Sequence, residues 1–251
     1  MSIRSSSGSH ANRLAREIEH DRKIAERAEQ IWNWDSHAGR CRAERRAAFF
    51  VEHARLRPGR RALEVGCGTG VFLERTARSG ATIHGLDLSS DLLSKARGRI
   101  GSAPNVHLER GNAERMPHPA GAFDAVYGSS ILHHLELRAS LAEVFRVLRP
   151  GGRIVFTEPN IFNPQIAFSF LIGPREFFGL SPDEMAFSRF HARSVLLSLG
   201  FVDVSVTPFD FLHPSTPERW IPRVVHLGDL LERAVGVREI AGSLLICAAK
   251  G

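Results

Sequence analysis

Four groups of residues in this 251-residue chain have the types and spacing to do chemistry. The first is Leu63-Glu64-Val65-Gly66-Cys67-Gly68-Thr69-Gly70, where an alternating apolar run meets three glycines at alternate positions. Val71 to Ala77 follows with apolar spacing that suits a helix. Strand, tight glycine turn and helix start is the layout of a nucleotide-cofactor loop in an α/β sheet. Glycine is needed there because the backbone turns sharply and approaches a ligand with no Cβ in the way. The second group is Asp87, which ends a short apolar stretch 19 residues past Gly68. An acid at the tip of a second parallel strand can accept hydrogen bonds from both ribose hydroxyls of an adenosine, and ~20 residues is the expected spacing. Its plainer role would be to cap the next helix, which Ser89 or Ser90 can do as well. The third and fourth groups are the pair His133-His134 and Glu158, each able to take a proton from an acceptor hydroxyl. Their plainer roles are structural: a packed histidine pair, and a hydrogen bond from Glu158 to the loop after it.

The elements that must position these groups alternate regularly. The pattern predicts strands near 61–65, 81–86, 105–109, 122–127 and 152–157, with helices near 70–79, 89–99 and 139–148. Strand and helix in alternation with short connections make a parallel sheet covered on both faces. Further on, the sequence predicts a helix at 191–200, a strand at 201–206, a helix at 227–234 and a final strand at 242–250.

The glycine loop reads G-x-G-x-G with Glu64 two residues ahead, not the G-x-G-x-x-G of dinucleotide folds. This wording resembles motif I of the class I S-adenosylmethionine-dependent methyltransferases, with a methyltransferase type 11-like domain. The resemblance runs over about residues 60–158, with motifs in order. Gly111-Asn112-Ala113-Glu114-Arg115-Met116-Pro117 resembles the family's adenine-edge segment. Phe123 to Leu135 resembles its fourth strand and following loop, and Val144 to Phe156, through Pro150-Gly151-Gly152, its next helix, turn and fifth strand. The resemblance implies a Rossmann-like sheet of seven mostly parallel strands, the last antiparallel, with helices on both faces. It also implies S-adenosyl-L-methionine as cofactor and S-adenosyl-L-homocysteine as product. Glu64, Gly66, Cys67 and Gly68 would then lie at the methionine end of the cofactor, with Ser129 beside it. Asp87 would bind ribose, Leu88 would pack on adenine, and Asn112 and Ala113 would meet the adenine edge. Asn112 stands where the family often has Asp, so its carbonyl oxygen would accept without a charge.

Domain organisation follows: a disordered stretch at 1–10, an N-terminal helical lid at 11–57, and the methyltransferase domain at 58–251. Within the lid, Leu14, Ile18, Ile24, Ala28 and Ile31 keep a helical period, Trp32 to Arg40 breaks it, and a second helix covers about 42–55. Trp32 and Trp34 would wall the cavity or bury the lid on the sheet. The segment 159–190 is crowded with Phe and broken by Pro, which marks a substrate-pocket insertion. A homodimer surface is its alternative reading. The Pro- and aromatic-rich stretch 207–222 is expected near the pocket too. His191, His213 and His226 are the reserve bases.

Composition narrows the function classes. A net charge of +6 leaves nucleic acid open, but the arginines are scattered and aromatics make up only 8%. A small-molecule acceptor therefore ranks above RNA or DNA. Cys41, Cys67 and Cys247 are too few and too dispersed for a disulfide framework or a zinc site, so no metal and a cytoplasmic location are expected. No stretch approaches the ~20 apolar residues of a membrane span. The reading is a methyltransferase for a small or medium-sized acceptor, with O-methylation favoured because histidine bases are at hand. An NAD-dependent oxidoreductase, a non-catalytic binding protein and a macromolecule methyltransferase are the competitors.

Overall fold

The structure, a computed structural model, describes residues 6–172 and 184–251. Seven strands form one sheet: β1 (Arg61–Val65), β2 (Thr82–Asp87), β3 (Val106–Arg110), β4 (Phe123–Ser129), β5 (Leu148–Pro159), β6 (Phe201–Phe209) and β7 (Ser243–Lys250). Their order is β3-β2-β1-β4-β5-β7-β6. The first five run parallel, and β7 lies antiparallel between β5 and β6. The alternation of elements pointed to the parallel part of this sheet, and the family resemblance implied seven strands with the last antiparallel.

Central strands such as β1 are buried on both faces, as a parallel sheet requires. One face packs on α3 (His37–His53), α4 (Val71–Thr76) and α5 (Ser90–Ile100), through Phe50, Phe72 and Leu93 against Ile83, Tyr127 and Val155. The other packs on α6 (Leu137–Val147) and α8 (Arg189–Ser198), through Leu141, Val144 and Leu196 against Leu63, Val126 and Phe156. The strand order reverses between β1 and β4, so the loops after these two strands diverge and leave a crevice.

The N-terminal segment crosses that crevice. Helix α1 (Ser6–Ile24) is followed by a 3-10 turn at Ala25–Arg27 and the single turn α2 (Ala28–Ile31). The helix starts inside the stretch 1–10 that composition suggested was disordered; residues 1–5 lie outside the described residues. Helix α3 starts five residues earlier than its apolar pattern implies, because Ser36 caps it by accepting a hydrogen bond from Gly39 N. Its Arg46 is buried and binds Asp210 at 2.8 Å and Ser243 Oγ at 2.8 Å, which ties the N-terminal part to the β6–β7 hairpin.

After β5, α7 (Pro164–Leu171) begins the expected insertion, with Asn163 as its cap and Pro164 in its first turn. Pro174, Phe177, Phe178 and Pro182 of that insertion lie outside the described residues. Thr207 to Phe209, read from sequence as loop, continues β6, since pairing with β7 outweighs the proline at the end of an edge strand. Helix α9 (Ile221–Arg233) starts six residues before its predicted limit, with Pro222 in its first turn.

Candidate functional site

A cavity of about 350 Å³ opens at the carboxyl ends of β1, β2 and β4. Its floor is the glycine loop. Gly66 and Gly68 hold φ of +67° and +52°, and a Cβ on Gly66 would meet the Ile131 side chain at 2.5 Å. The loop is thus open to glycine alone at its first turn. The Trp32 ring caps the loop from above, 3.4 Å from where a Cβ of Gly68 would stand. Trp34 lines the same cavity and packs edge-on against Phe72, so the two sequence readings of the tryptophans hold together.

Asp87 reaches the cavity from the end of β2. One of its oxygens accepts from Gly68 N at 2.8 Å and the other from Ser89 N at 2.9 Å. Burial raises its pKa, and the N–H donors of Ser89 and Gly68 oppose that rise. The helix cap itself is Ser89, which accepts from Leu92 N. Leu88, Gly111, Asn112 and Ala113 form the neighbouring wall. The Asn112 side-chain oxygen already accepts from Glu114 N at 2.8 Å, which folds the 112–115 turn. Cys67 and Ser129 also line the cavity, and Ser129 Oγ accepts from Thr157 at 2.9 Å.

Glu64 does not reach the cavity wall. It is buried behind the loop beside Tyr127, whose hydroxyl also pairs with Thr76 at 2.8 Å. Burial pushes its carboxyl up to about 8, against a hydrogen bond from Tyr127 that lowers it, and its Oε2 has no hydrogen-bond partner.

The loop after β4 is organised by Glu158. Its Oε1 accepts from Ile131 N and Leu132 N, both at 2.9 Å, and its Oε2 pairs with His133 Nδ1 at 2.8 Å. Glu158 as a carboxylate accepts from His133 Nδ1, and His133 Nε2 lies 3.8 Å from Glu184 Oε2. His133 lines the cavity and Glu158 does not. Ser130, at φ +54°, lets the chain turn between the strand and these histidines.

Sequence reasoning missed a ring of acids around His134. Glu17 of α1 lies 3.4 Å from its Nδ1, and Glu184 lies 3.5 Å away. Burial alone would lower the His134 pKa; the carboxylates of Glu17, Glu184 and Asp21 raise it to about 9. Asp21 is itself pushed up to about 7, by burial first and the Asp87 charge second. Arg13 donates to the His134 carbonyl at 2.9 Å and pairs with Glu114, fastening α1 over the cavity. Glu17 and Asp21 sit one turn apart beside the apolar stripe of Leu14 and Ile18, where charged residues read as a solvated helix face. His191, His213 and His226 do not line this cavity, nor does any residue of 207–222; His213 instead meets Gln165 at 2.9 Å.

Fold and site together define a class. An open α/β sheet with a glycine cradle, an acid at the second strand tip and an adenine-edge wall, all at the switch point, is the class I methyltransferase plan. Residues 63–156 match the family model of the methyltransferase domain. The demethylmenaquinone methyltransferase of Symbiobacterium thermophilum is 34% identical over 132 residues, which cover 49% of this chain and 52% of that one. The malonyl-[acyl-carrier protein] O-methyltransferase of Serratia marcescens is 38% identical over 101 residues, covering 40% and 38%. The chain therefore spans about half or less of the length of these curated relatives. Over the whole fold it is similar to the structure of a SAM-dependent methyltransferase of Thermotoga maritima, with a TM-score of 0.63 at 18% identity and coverage of 92% and 100%.

The residues present fit the cofactor of this class. The loop needs glycine at Gly66 and Gly68, whose φ is positive, with a Cβ on Gly66 running into Ile131, and the buried Glu64 Oε2 has no hydrogen-bond partner. Among the described residues, no helix is long and apolar enough to cross a membrane.

Proposed function

We propose that this chain transfers a methyl group from S-adenosyl-L-methionine to a hydroxyl of a small or medium-sized acceptor, with His133 as general base. The observation that carries the reading is that His133 lines the cavity with its Nδ1 held by Glu158 at 2.8 Å, which would leave Nε2, 3.8 Å from Glu184, to take a proton. When bound, the cofactor supplies a methyl group already activated as a sulfonium. Gly66, Gly68 and Ser129 would hold its methionine end, Asp87 its ribose, and Leu88, Asn112 and Ala113 its adenine. Glu64 would steady the loop from behind.

Helix α1, Trp32 and Trp34 close the cavity and exclude water. Orientation of two reactants supplies ~7–11 kcal/mol in well-aligned cases, more than any single base. His133 Nε2 would take the acceptor proton while Glu158 stabilises the imidazolium and fixes its tautomer. Two of the sequence candidates take other roles. His134, protonated up to about pH 9, is a donor at neutral pH, and Glu158 positions His133 and the loop. The segment 11–57 would act as the lid and 159–190 as the acceptor side, which Pro159, Phe170 and Glu184 reach. Free cysteines throughout fit a reducing cytoplasm.

The test uses isotopically methyl-labelled cofactor, the purified chain and a small-molecule extract, with labelled products identified by mass spectrometry. Labelled oxygen-methyl products are expected. His133→Ala should lower turnover on the order of 10²–10⁴ and leave S-adenosyl-L-homocysteine affinity in calorimetry unchanged. Turnover within a few-fold of the parent would instead favour an amine or activated carbon acceptor that needs no base.

A further inference from the structure

A second cluster of chemistry-bearing side chains lies away from the cavity. His84 of β2, Glu109 of β3 and His118 of the loop before β4 converge from three separate segments. Glu109 bridges the two imidazoles: one oxygen meets His84 Nδ1 and the other meets His118 Nε2 at 2.8 Å. The three ligand atoms all lie within 4.8 Å of one another. This is not a solvated surface group, because the His84 and His118 side chains are only 14% and 8% exposed. The Nδ1 of His118 is buried with no hydrogen-bond partner. Phe123 packs edge-on against both rings, at 5.4 and 4.8 Å, and fixes their planes.

We propose that His84, Glu109 and His118 bind a divalent transition-metal ion, zinc by donor type. Two imidazoles and one carboxylate are a favoured zinc donor set, and water would complete a four-coordinate site. With metal–ligand bonds of ~2.0–2.1 Å, tetrahedral ligand atoms stand roughly 3.3–3.5 Å apart. The present contact of 2.8 Å between Glu109 and His118 therefore opens by about half an ångström. Arg61 meets the opposite nitrogen of His84, Nε2, at 3.4 Å and lies over the Phe123 ring, so it leaves Nδ1 to the ion.

The ion would pin the loop that leads from Asn112 and Ala113 to His118 onto β2 and β3. It would thus brace the adenine wall from outside without touching the cavity.

The experiment is a titration of the metal-stripped full chain with Zn²⁺ by calorimetry and with Co²⁺ by visible absorption. One Zn²⁺ per chain is expected, and Co²⁺ should give the weak d–d bands of a nitrogen–oxygen site without a thiolate charge-transfer band. Loss of one ligand should weaken binding about 100-fold or more, in both His118→Ala and Glu109→Gln, while His134→Gln binds as the parent does. Should His118→Ala fail to fold, His84→Gln at the more open end of the site gives the same readout. Absence of stoichiometric binding, retention of binding in the ligand variants, or a thiolate band on Co²⁺ would overturn the proposal.

Discussion

Asp87 shows how one side chain can serve fold and ligand together. Its two oxygens hold Gly68 N and Ser89 N, so it sets the glycine turn and the start of α5 before any cofactor arrives. An amide has only one accepting edge, so Asp87→Asn turns an NH₂ group against one of those two N–H donors. Hydrogen bonds to a charged group contribute ~1.5–3 kcal/mol, so calorimetry should find S-adenosyl-L-homocysteine bound about 10- to 150-fold more weakly. The urea midpoint should move much less than the affinity, because the sheet core lies elsewhere. A residue whose only task was capping would leave the affinity untouched.

At the scale of the element, α1 is fastened by charge. The His134 pKa is raised from 6.5 to about 9 in the fold, so its contribution is fully present below about pH 6.5 and is lost as pH rises through about 9. Asp21 is raised from 3.8 to about 7, so its burial costs stability progressively as pH rises from about 3.8 to about 7 and no further above that. Both effects have the same sign, and above about pH 7 His134 alone carries the dependence. Hydrogen exchange of α1, corrected for the intrinsic rate, should therefore speed up between pH 6.5 and 9, and His134→Gln should flatten that dependence. None of this was readable in the chain. The glycine loop and Asp87 were, because strand, turn and helix there are contiguous and each apolar pattern agrees with its neighbour. Likewise the succession of strands and helices along the core followed from local periodicity. Glu17 and Asp21 were not, since on a helix period they look like solvated positions, nor was Glu184 of the 159–190 insertion, and these acids meet His134 only when segments more than 40 residues apart close on one another.

Across the whole molecule, the N-terminal helices and the C-terminal hairpin are joined at Arg46 and Asp210, whose side chains are 3% and 2% exposed. The Arg46 and Arg42 charges overcome burial and hold the Asp210 carboxyl below its usual range. Asp210 also takes a φ of +77°, which Asn tolerates well, so Asp210→Asn changes charge with little backbone strain. It leaves Arg46 buried without a counter-charge, and urea unfolding should show a loss of ~3–5 kcal/mol. Adding Arg46→Met should recover part of that loss, since a buried ion pair can be replaced by apolar packing at little net cost.

The place of β7 has a consequence for the order in which the chain is made. Strand β6 is bonded to the sheet only through β7, yet β7 emerges from the ribosome after it. Until Ser243 to Lys250 are synthesised, the nascent protein carries an open β5 edge and an unanchored β6, two surfaces suited to pairing with other chains. A premature stop at residue 242 thus removes one strand from the sequence but two from the sheet. Such a product should collect in inclusion bodies, whereas trimming the five residues before α1 should leave the protein in the supernatant of a cleared extract.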